Sequence, residues 1–183
     1  TLGHFLKPRE SKPGFDQRRG IVFMGALHAE GTPNADSLHW FCRDVLPHIR
    51  QSLGQDIQLK VIGKNRIPSL EALDGKDLDL LGPIDDPTPI FDAARVFVAP
   101  TRFAAGIPLK VHHAVSYGIP VVTTDLLTRQ LGWASGVELL ADDDPHRFAQ
   151  HVIALHSEPT LWTQIRDNAE RQLRTDCSKQ RFY

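Results

Sequence analysis

The 183-residue sequence has only two cysteines and no long apolar run. Its two cysteines, Cys42 and Cys177, lie far apart and fit no metal-ligand spacing. Two thiols in a chain of this size favour a reducing compartment, although a single disulfide stays open. No apolar run is long enough to span a bilayer, and the start shows no signal-peptide pattern. We therefore predict a cytoplasmic location without a transmembrane segment, and leave peripheral contact at the inner membrane face open.

Charge and missing motifs exclude several further classes of protein. The formal net charge of −1 gives no overall attraction to nucleic acid, so no nucleic-acid partner is expected. The sequence has no Walker loop, nucleophile elbow or Ser-His-Asp spacing, and no G-x-G-x-x-G follows the first predicted strand. His112 and His113 are adjacent and would point about 100° apart on a helix, so they are poor joint ligands for one ion. We predict no bound metal and no cofactor.

The apolar pattern predicts an α/β fold. Hydrophobic content of 41% and charged content of 23% are ordinary for one globular domain. Apolar strands alternate with helical periods, which indicates a Rossmann-like, doubly wound parallel sheet of about six strands. The predicted strands are 20–25, 57–63, 79–82, 95–99, 120–123 and 137–140. The predicted helices are 35–53 with Asn34 as N-cap and a kink at Pro47, 69–73, 89–94, 108–118, 145–156 with Asp144 as N-cap, and 159–174.

The two ends of the chain differ from its centre in composition. Residues 1–20 are rich in Lys, Arg, Pro and Gly and show no periodicity, which is typical of a linker. We assign residues 1–20 to an interdomain linker, residues 21–175 to the α/β domain and residues 176–183 to a tail.

The segment 96–124 is the most informative part of the sequence, because it indicates a strand, a loop, a helix and a second strand. The helix is predicted to begin near Pro108 and to end at Gly118 in the left-handed conformation. Its N-terminus would lie at the carboxyl end of a parallel strand, where free N–H groups suit a phosphate. Gly106 with Ile107 is the leading diphosphate site, because a side chain at position 106 would block close approach.

For two of these residues, a purely structural role without a ligand stays open. Gly106 is also compatible with a simple turn before a helix. Lys110, one turn into the helix, can reach a phosphate or can lie on a solvated helix face. The sequence alone does not decide between these alternatives.

The same segment resembles the donor-binding core of the GT-B-type retaining glycosyltransferases, the glycosyl transferases group 1. The resemblance extends from about Gly20 to about Arg174 and covers only the carboxyl-terminal, nucleotide-sugar half of such an enzyme. It implies a nucleotide-diphosphate sugar as substrate, a missing amino-terminal acceptor domain as partner, and metal-independent transfer of a hexosyl group (EC 2.4). It also implies that the isolated domain is inactive alone. The matching residues are Pro100, Gly106, Lys110, Val111, Ala114, Gly118, Pro120, Val121, Val122 and Thr124.

The resemblance also implies which residues contact the donor, although it assigns no catalytic residue. His28 and Arg102 can instead be loop side chains that contact no ligand. Ile84 can instead be a hydrophobic side chain that only packs against the domain. The implied contacts to donor phosphate and sugar are Gly25, Ala26, His28, Arg102, Ala105, Gly106, Ile107 and Lys110. The implied contacts to base and ribose are Gly63, Lys64, Gly82, Ile84, Val111 and His113.

Two departures from the family pattern keep a second function open. Many members carry glutamates at the positions of Ala105 and His113, and an arginine and a lysine after the first strand, where this sequence has His28, Glu30 and Asn34. A non-catalytic sugar-nucleotide-binding or interaction module is therefore the alternative to a transferase. A GT-B epimerase shares the predicted fold but has no supporting residue here.

Overall fold

The computed structural model describes residues 8–65, 67–103 and 108–177. Six strands within these ranges form one sheet in the order β3-β2-β1-β4-β5-β6, and every pairing is parallel. This confirms the predicted Rossmann-like α/β fold. The strand order reverses between β1 and β4, which is where sheets of this kind bind ligands. The strands are β1 (Gly20–Met24), β2 (Leu59–Ile62), β3 (Leu78–Gly82), β4 (Ala94–Ala99), β5 (Val121–Thr123) and β6 (Leu140–Ala141).

Helices cover both faces of the sheet. Asp144 caps the seventh helix as predicted, since its carboxylate accepts the Arg147 N–H at 2.9 Å. No helix in the described part of the chain is long and apolar enough to cross a membrane. The helices are α1 (Pro33–Trp40), α2 (Leu46–Leu53), α3 (Pro68–Glu71), α4 (Thr88–Ala93), α5 (Leu109–Ser116), α6 (Asp125–Leu131), α7 (Pro145–Ser157) and α8 (Pro159–Asp176), with a 3-10 turn at Phe15–Gln17 and a π-helical segment at Phe41–Val45.

The core consists of two apolar clusters, one on each face of the sheet. Phe23 and Val98 face the side covered by α1, α2 and α7, where Phe148 packs. Phe97 and Val121 face the side covered by α5 and α8. All six residues of β4 are buried, and Val96 to Ala99 form the continuous apolar run seen in the sequence.

The predicted helix 35–53 is interrupted earlier than expected. The break lies at Phe41–Val45, where the Leu46 N–H bonds the Phe41 carbonyl five residues back. Pro47 lies in the first turn of α2, and its missing N–H prevents a continuous α-helical ladder through this point. Asn34 is not the N-cap: Thr32 has that position, and the Asn34 side chain makes tertiary contacts instead.

The sixth strand and one helix also differ from the prediction. Residues 137–138 belong to a turn, because the Ala134 N–H bonds Glu138 at 2.8 Å and the Gly136 N–H bonds the Leu139 carbonyl at 2.8 Å. The strand therefore begins only at Leu140. Helix α6 lies in a stretch for which we predicted no element.

Residues 8–19, here called the N-terminal strap, pack on the domain. Arg18 is fully buried, and burial lowers the pKa of its guanidinium to about 10. No carboxylate is among the groups that it bonds. Its hydrogen bonds, 2.6 to 3.0 Å long, go to the carbonyls of Pro13, Phe91, Ala94 and Tyr117. The assignment of 1–20 as an interdomain linker and of 176–183 as a tail stays a prediction.

Candidate functional site

The carboxyl ends of β1, β2 and β3 are joined closely enough to require glycine. The Gly25 N–H bonds the Ile62 carbonyl at 3.0 Å, and the Gly63 N–H bonds the Gly82 carbonyl at 2.9 Å. Gly63 has φ +144°, and a Cβ there would overlap the carbonyl of Gly25. The structure thus brings three of the predicted donor contacts together at one edge of the sheet: Gly25, predicted for phosphate and sugar, and Gly63 and Gly82, predicted for base and ribose.

Lys110 extends from the first turn of α5 toward the same edge. Its Nζ donates to Asn34 Oδ1 at 2.6 Å and lies 4.7 Å from the centre of the Phe23 ring. The amide of Asn34 in turn donates to the Ala26 carbonyl at 3.0 Å. Burial lowers the pKa of Lys110 to about 8. No ion pair with a carboxylate compensates this amine among the described residues.

This network explains why the loop after β1 has a glycine. A Cβ on Gly25 would lie 2.7 Å from the amide nitrogen of Asn34. Any side chain at position 25 would therefore displace the residue that bonds both Lys110 and Ala26. The convergence of the β1 loop, α1 and α5 lies at the switch point between β1 and β4.

Arg102 lies at this edge too, but its guanidinium already forms an ion pair with a carboxylate. Both its Nε, at 2.9 Å, and a terminal nitrogen donate to Asp36 on α1. The guanidinium lies 5.9 Å from the ring centre of Trp40. A phosphate would have to compete with Asp36 for Arg102, so its predicted donor contact stays a prediction.

The exposed candidates in the neighbouring loops make fewer contacts. The side chains of His28 and Lys64 are exposed, while the Lys64 carbonyl accepts the Leu27 N–H at 2.8 Å. Ala26 is also exposed, and its carbonyl holds Asn34. Their roles toward a ligand stay predictions.

Three residues after Lys110 on α5, His113 lies in an aromatic cluster. Its ring centre is 5.4 Å from Phe91 and 5.2 Å from Tyr117, both in edge-on geometry. Burial lowers its pKa, so the imidazole is neutral at pH 7 and can donate one hydrogen bond and accept another. The side chain of Val111 is fully buried in the core and leaves only its backbone for a ligand.

An apolar surface lies beyond the ends of β1 and β3. Met24, Leu81 and Ile84 are partly buried and pack against the core cluster below them. Such a surface suits one face of a planar base. Ile84, predicted as a base contact, belongs to this group.

Two polar residues of this edge are not predicted as ligand contacts from the sequence. Asn34 was assigned as a helix cap, since nothing in the sequence indicates that it contacts Lys110 76 positions away. Thr101 lies two residues after the end of β4, and within the described ranges its buried hydroxyl has no hydrogen-bond partner. A polar residue so soon after a buried strand is the one signal that singles out Thr101.

Three predicted contacts, Ala105, Gly106 and Ile107, lie outside the described residues. Within the described part of the chain, no three His, Cys, Asp or Glu side chains form a group that could hold a metal ion. Independence from metals and cofactors stays an expectation.

Sequence comparison identifies the family. The model of the family "Glycosyl transferases group 1" matches residues 18–158, and the chain belongs to this family. A curated relative from Klebsiella pneumoniae, an "uncharacterized 44.6 kDa protein in cps region", is 28% identical over 142 residues. The match covers 73% of this chain and 36% of the relative, so the chain spans about a third of that protein's length.

Structure comparison shows that the fold matches the carboxyl-terminal domain of the GT-B fold. A variant of TarM from S. aureus, solved with fondaparinux, alpha-GlcNAc-glycerol and UDP, is similar with a TM-score of 0.74 at 13% identity. The similarity covers 97% of this chain and 36% of TarM. The C-terminal domain of a group 1 glycosyl transferase, LpcC from Francisella tularensis, has a TM-score of 0.66 at 14% identity. That match covers 93% of this chain and 95% of the domain.

Proposed function

We propose that this chain is the donor-binding domain of a glycosyltransferase and binds a nucleoside-diphosphate sugar. One observation carries the proposal: the partly buried amine of Lys110 lies at the switch point of the sheet with no carboxylate partner among the described residues. A desolvated ammonium of this kind gains most from an anionic ligand. UDP in the complex of the similar TarM variant makes UDP the first nucleotide to test.

Each group of the site has a proposed role. Lys110 offsets the charge that develops on the departing diphosphate, and Asn34 holds its amine at the required point. The apolar surface around Ile84 supports the base, and His113 offers a neutral imidazole to the ribose. Transfer then depends on positioning and charge stabilisation, without a metal ion and with the acceptor held by an amino-terminal domain. Without that domain, the isolated chain would transfer no sugar.

A non-catalytic binding module is the second candidate. The observation in its favour is that Arg102 is already bonded by Asp36, so fewer cations are free for a diphosphate. The histidine at position 113, where many family members have a glutamate, also favours a non-catalytic binding module. Donor turnover by the full-length protein separates the two candidates, since both bind nucleotide but only a transferase releases the nucleoside diphosphate in the presence of an acceptor.

Calorimetric titration with UDP, GDP, ADP and dTDP tests the proposal. We expect one of them to bind selectively, and Lys110→Met to weaken that binding at least about tenfold, which corresponds to roughly 1.4 kcal/mol. Lys76→Met is the matched control, because Lys76 is an exposed lysine at the far end of the sheet, before β3. If the folded wild-type chain binds no member of the panel, donor binding by this domain is wrong.

A further inference from the structure

The N-terminal strap reaches the end of α5 through Arg9. The Arg9 N–H bonds the Ser116 carbonyl at 2.9 Å, and its guanidinium forms an ion pair with Asp92 on α4 at 2.7 Å. The same guanidinium lies 5.0 Å from the ring centre of Tyr117. Arg9 therefore links three points: the strap, the end of α4 and the residue that ends α5.

Tyr117 is one of three rings that all contact one another. It lies 4.9 Å from Phe91 and 5.2 Å from His113, while Phe91 and His113 are 5.4 Å apart. All three pairs are edge-on, so turning one ring displaces the other two. Arg9 contacts this set from outside and also bonds Asp92, the neighbour of Phe91.

We propose that Arg9 is a positioning residue for His113: by holding Tyr117 and Asp92, it sets the orientation of the His113 imidazole. The orientation matters for nucleotide binding because His113 offers its imidazole to the ribose, and this consequence rests on the proposed function. In a two-domain enzyme, the strap would then transmit changes in the preceding chain to the nucleotide site.

The position of Tyr117 explains why an external contact is needed. Tyr117 lies at the C-cap of α5, where the chain turns into Gly118 with φ +70°, and its side chain is only partly buried. Packing in the core therefore does not fix its ring on every side. A guanidinium over a tyrosine ring is attracted by the π-electrons of the ring face and therefore favours one ring orientation.

The NMR resonances of the histidine rings in the free protein test the contact without any ligand. We expect Arg9→Ala to move the His113 resonances and Arg9→Lys to restore them in part, because lysine keeps a cation near Asp92 and Tyr117. His112 is an internal control, since it lies on the same helix but packs on Trp133. Lys12→Ala is the matched variant, because it removes the strap's ion pair with Glu170 on α8. Unchanged His113 resonances in Arg9→Ala, or an equal shift in Lys12→Ala, would overturn the proposal.

A second measurement tests the consequence for binding. We expect Arg9→Ala to weaken UDP binding roughly three- to tenfold and to leave binding of inorganic pyrophosphate unchanged, because pyrophosphate has no ribose to meet His113. Equal losses for both ligands would show a general structural effect and would contradict a positioning role. If the wild-type chain binds neither ligand, the proposed function fails, while the NMR result still decides whether Arg9 orients His113.

Discussion

Binding of a nucleoside diphosphate should be coupled to protonation of Lys110. Burial places its pKa near 8, well below its ordinary value of 10.5, and no ion pair in the described part of the chain offsets this desolvation. A bound diphosphate would raise that pKa, because an anion favours the charged amine. The ligand therefore binds the protonated form more tightly, and full affinity is present below pH 8. As the pH rises through 8, each binding event must take up a proton, and the affinity falls.

The size of this effect follows from the fraction of protonated lysine. With a pKa of about 8, roughly nine-tenths of the amines carry a proton at pH 7 and one-tenth at pH 9. UDP binding should therefore weaken by about tenfold, or roughly 1.4 kcal/mol, between these two pH values. The terminal phosphate of the ligand ionises near pH 6 and does not change charge within this window.

Calorimetry in two buffers with different ionisation enthalpies measures the number of protons taken up. We expect about half a proton per UDP at pH 8 in the wild-type chain, since half of the amines are then neutral, and none in Lys110→Met. A wild-type chain that binds UDP at pH 8 without taking up a proton would refute the reasoning. In that case the amine is either fully charged in the free site or does not contact the ligand.

Three further predictions concern stability, each measured by urea unfolding. Gly63→Ala should lower the free energy of unfolding by at least about 2 kcal/mol, because no room exists for a Cβ. Its control, Gly31→Ala, lies at φ +71° in open space and should cost only about 1 kcal/mol. Equal losses in the two variants would contradict the close approach of Gly63 to Gly25. Arg18→Met should destabilise by about 3 kcal/mol or more, because its carbonyl partners lose their donor, while the exposed Arg43→Ala stays within about 0.5 kcal/mol. Asp144→Ala should cost about 1 kcal/mol through the lost helix cap, and an unchanged midpoint would show that the cap does not contribute.

The sequence predicts those parts of the fold in which local pattern and burial agree. The continuous apolar runs of β1 and β4 placed these strands correctly within a residue, since both are buried on both faces. The pattern at 137–140 is equally apolar, but Glu138 and Gly136 close a turn there, and turn hydrogen bonds are not visible in hydropathy. The π-helical segment at Phe41–Val45 is likewise hidden, because the apolar spacing of Leu38, Phe41, Val45 and Ile49 also fits an ordinary α-helix.

The sequence predicts where the candidate site lies in the fold, but not which of its side chains contact one another. Parallel strands end at one edge of a sheet, so the loops after β1 and β4 were expected to meet there. The sequence does not indicate that Lys110 bonds Asn34, 76 positions away, or that Arg102 pairs with Asp36, 66 positions away. Such contacts depend on how α1 lies against the β4 end, which is a property of the packed domain.

The histidine at position 113 is compatible with nucleotide binding on electrostatic grounds. A carboxylate there would contact the rings of Phe91 and Tyr117, where its charge would lose hydration, and the Arg9 guanidinium on Tyr117 is already paired with Asp92. A neutral imidazole avoids that penalty and still offers one donor and one acceptor to a ribose. It also adds no negative charge to an edge whose nearby carboxylate, Asp36, is already neutralised by Arg102. The replacement therefore leaves the positive charge of Lys110 uncompensated and available to a diphosphate, which the proton-uptake measurement tests directly.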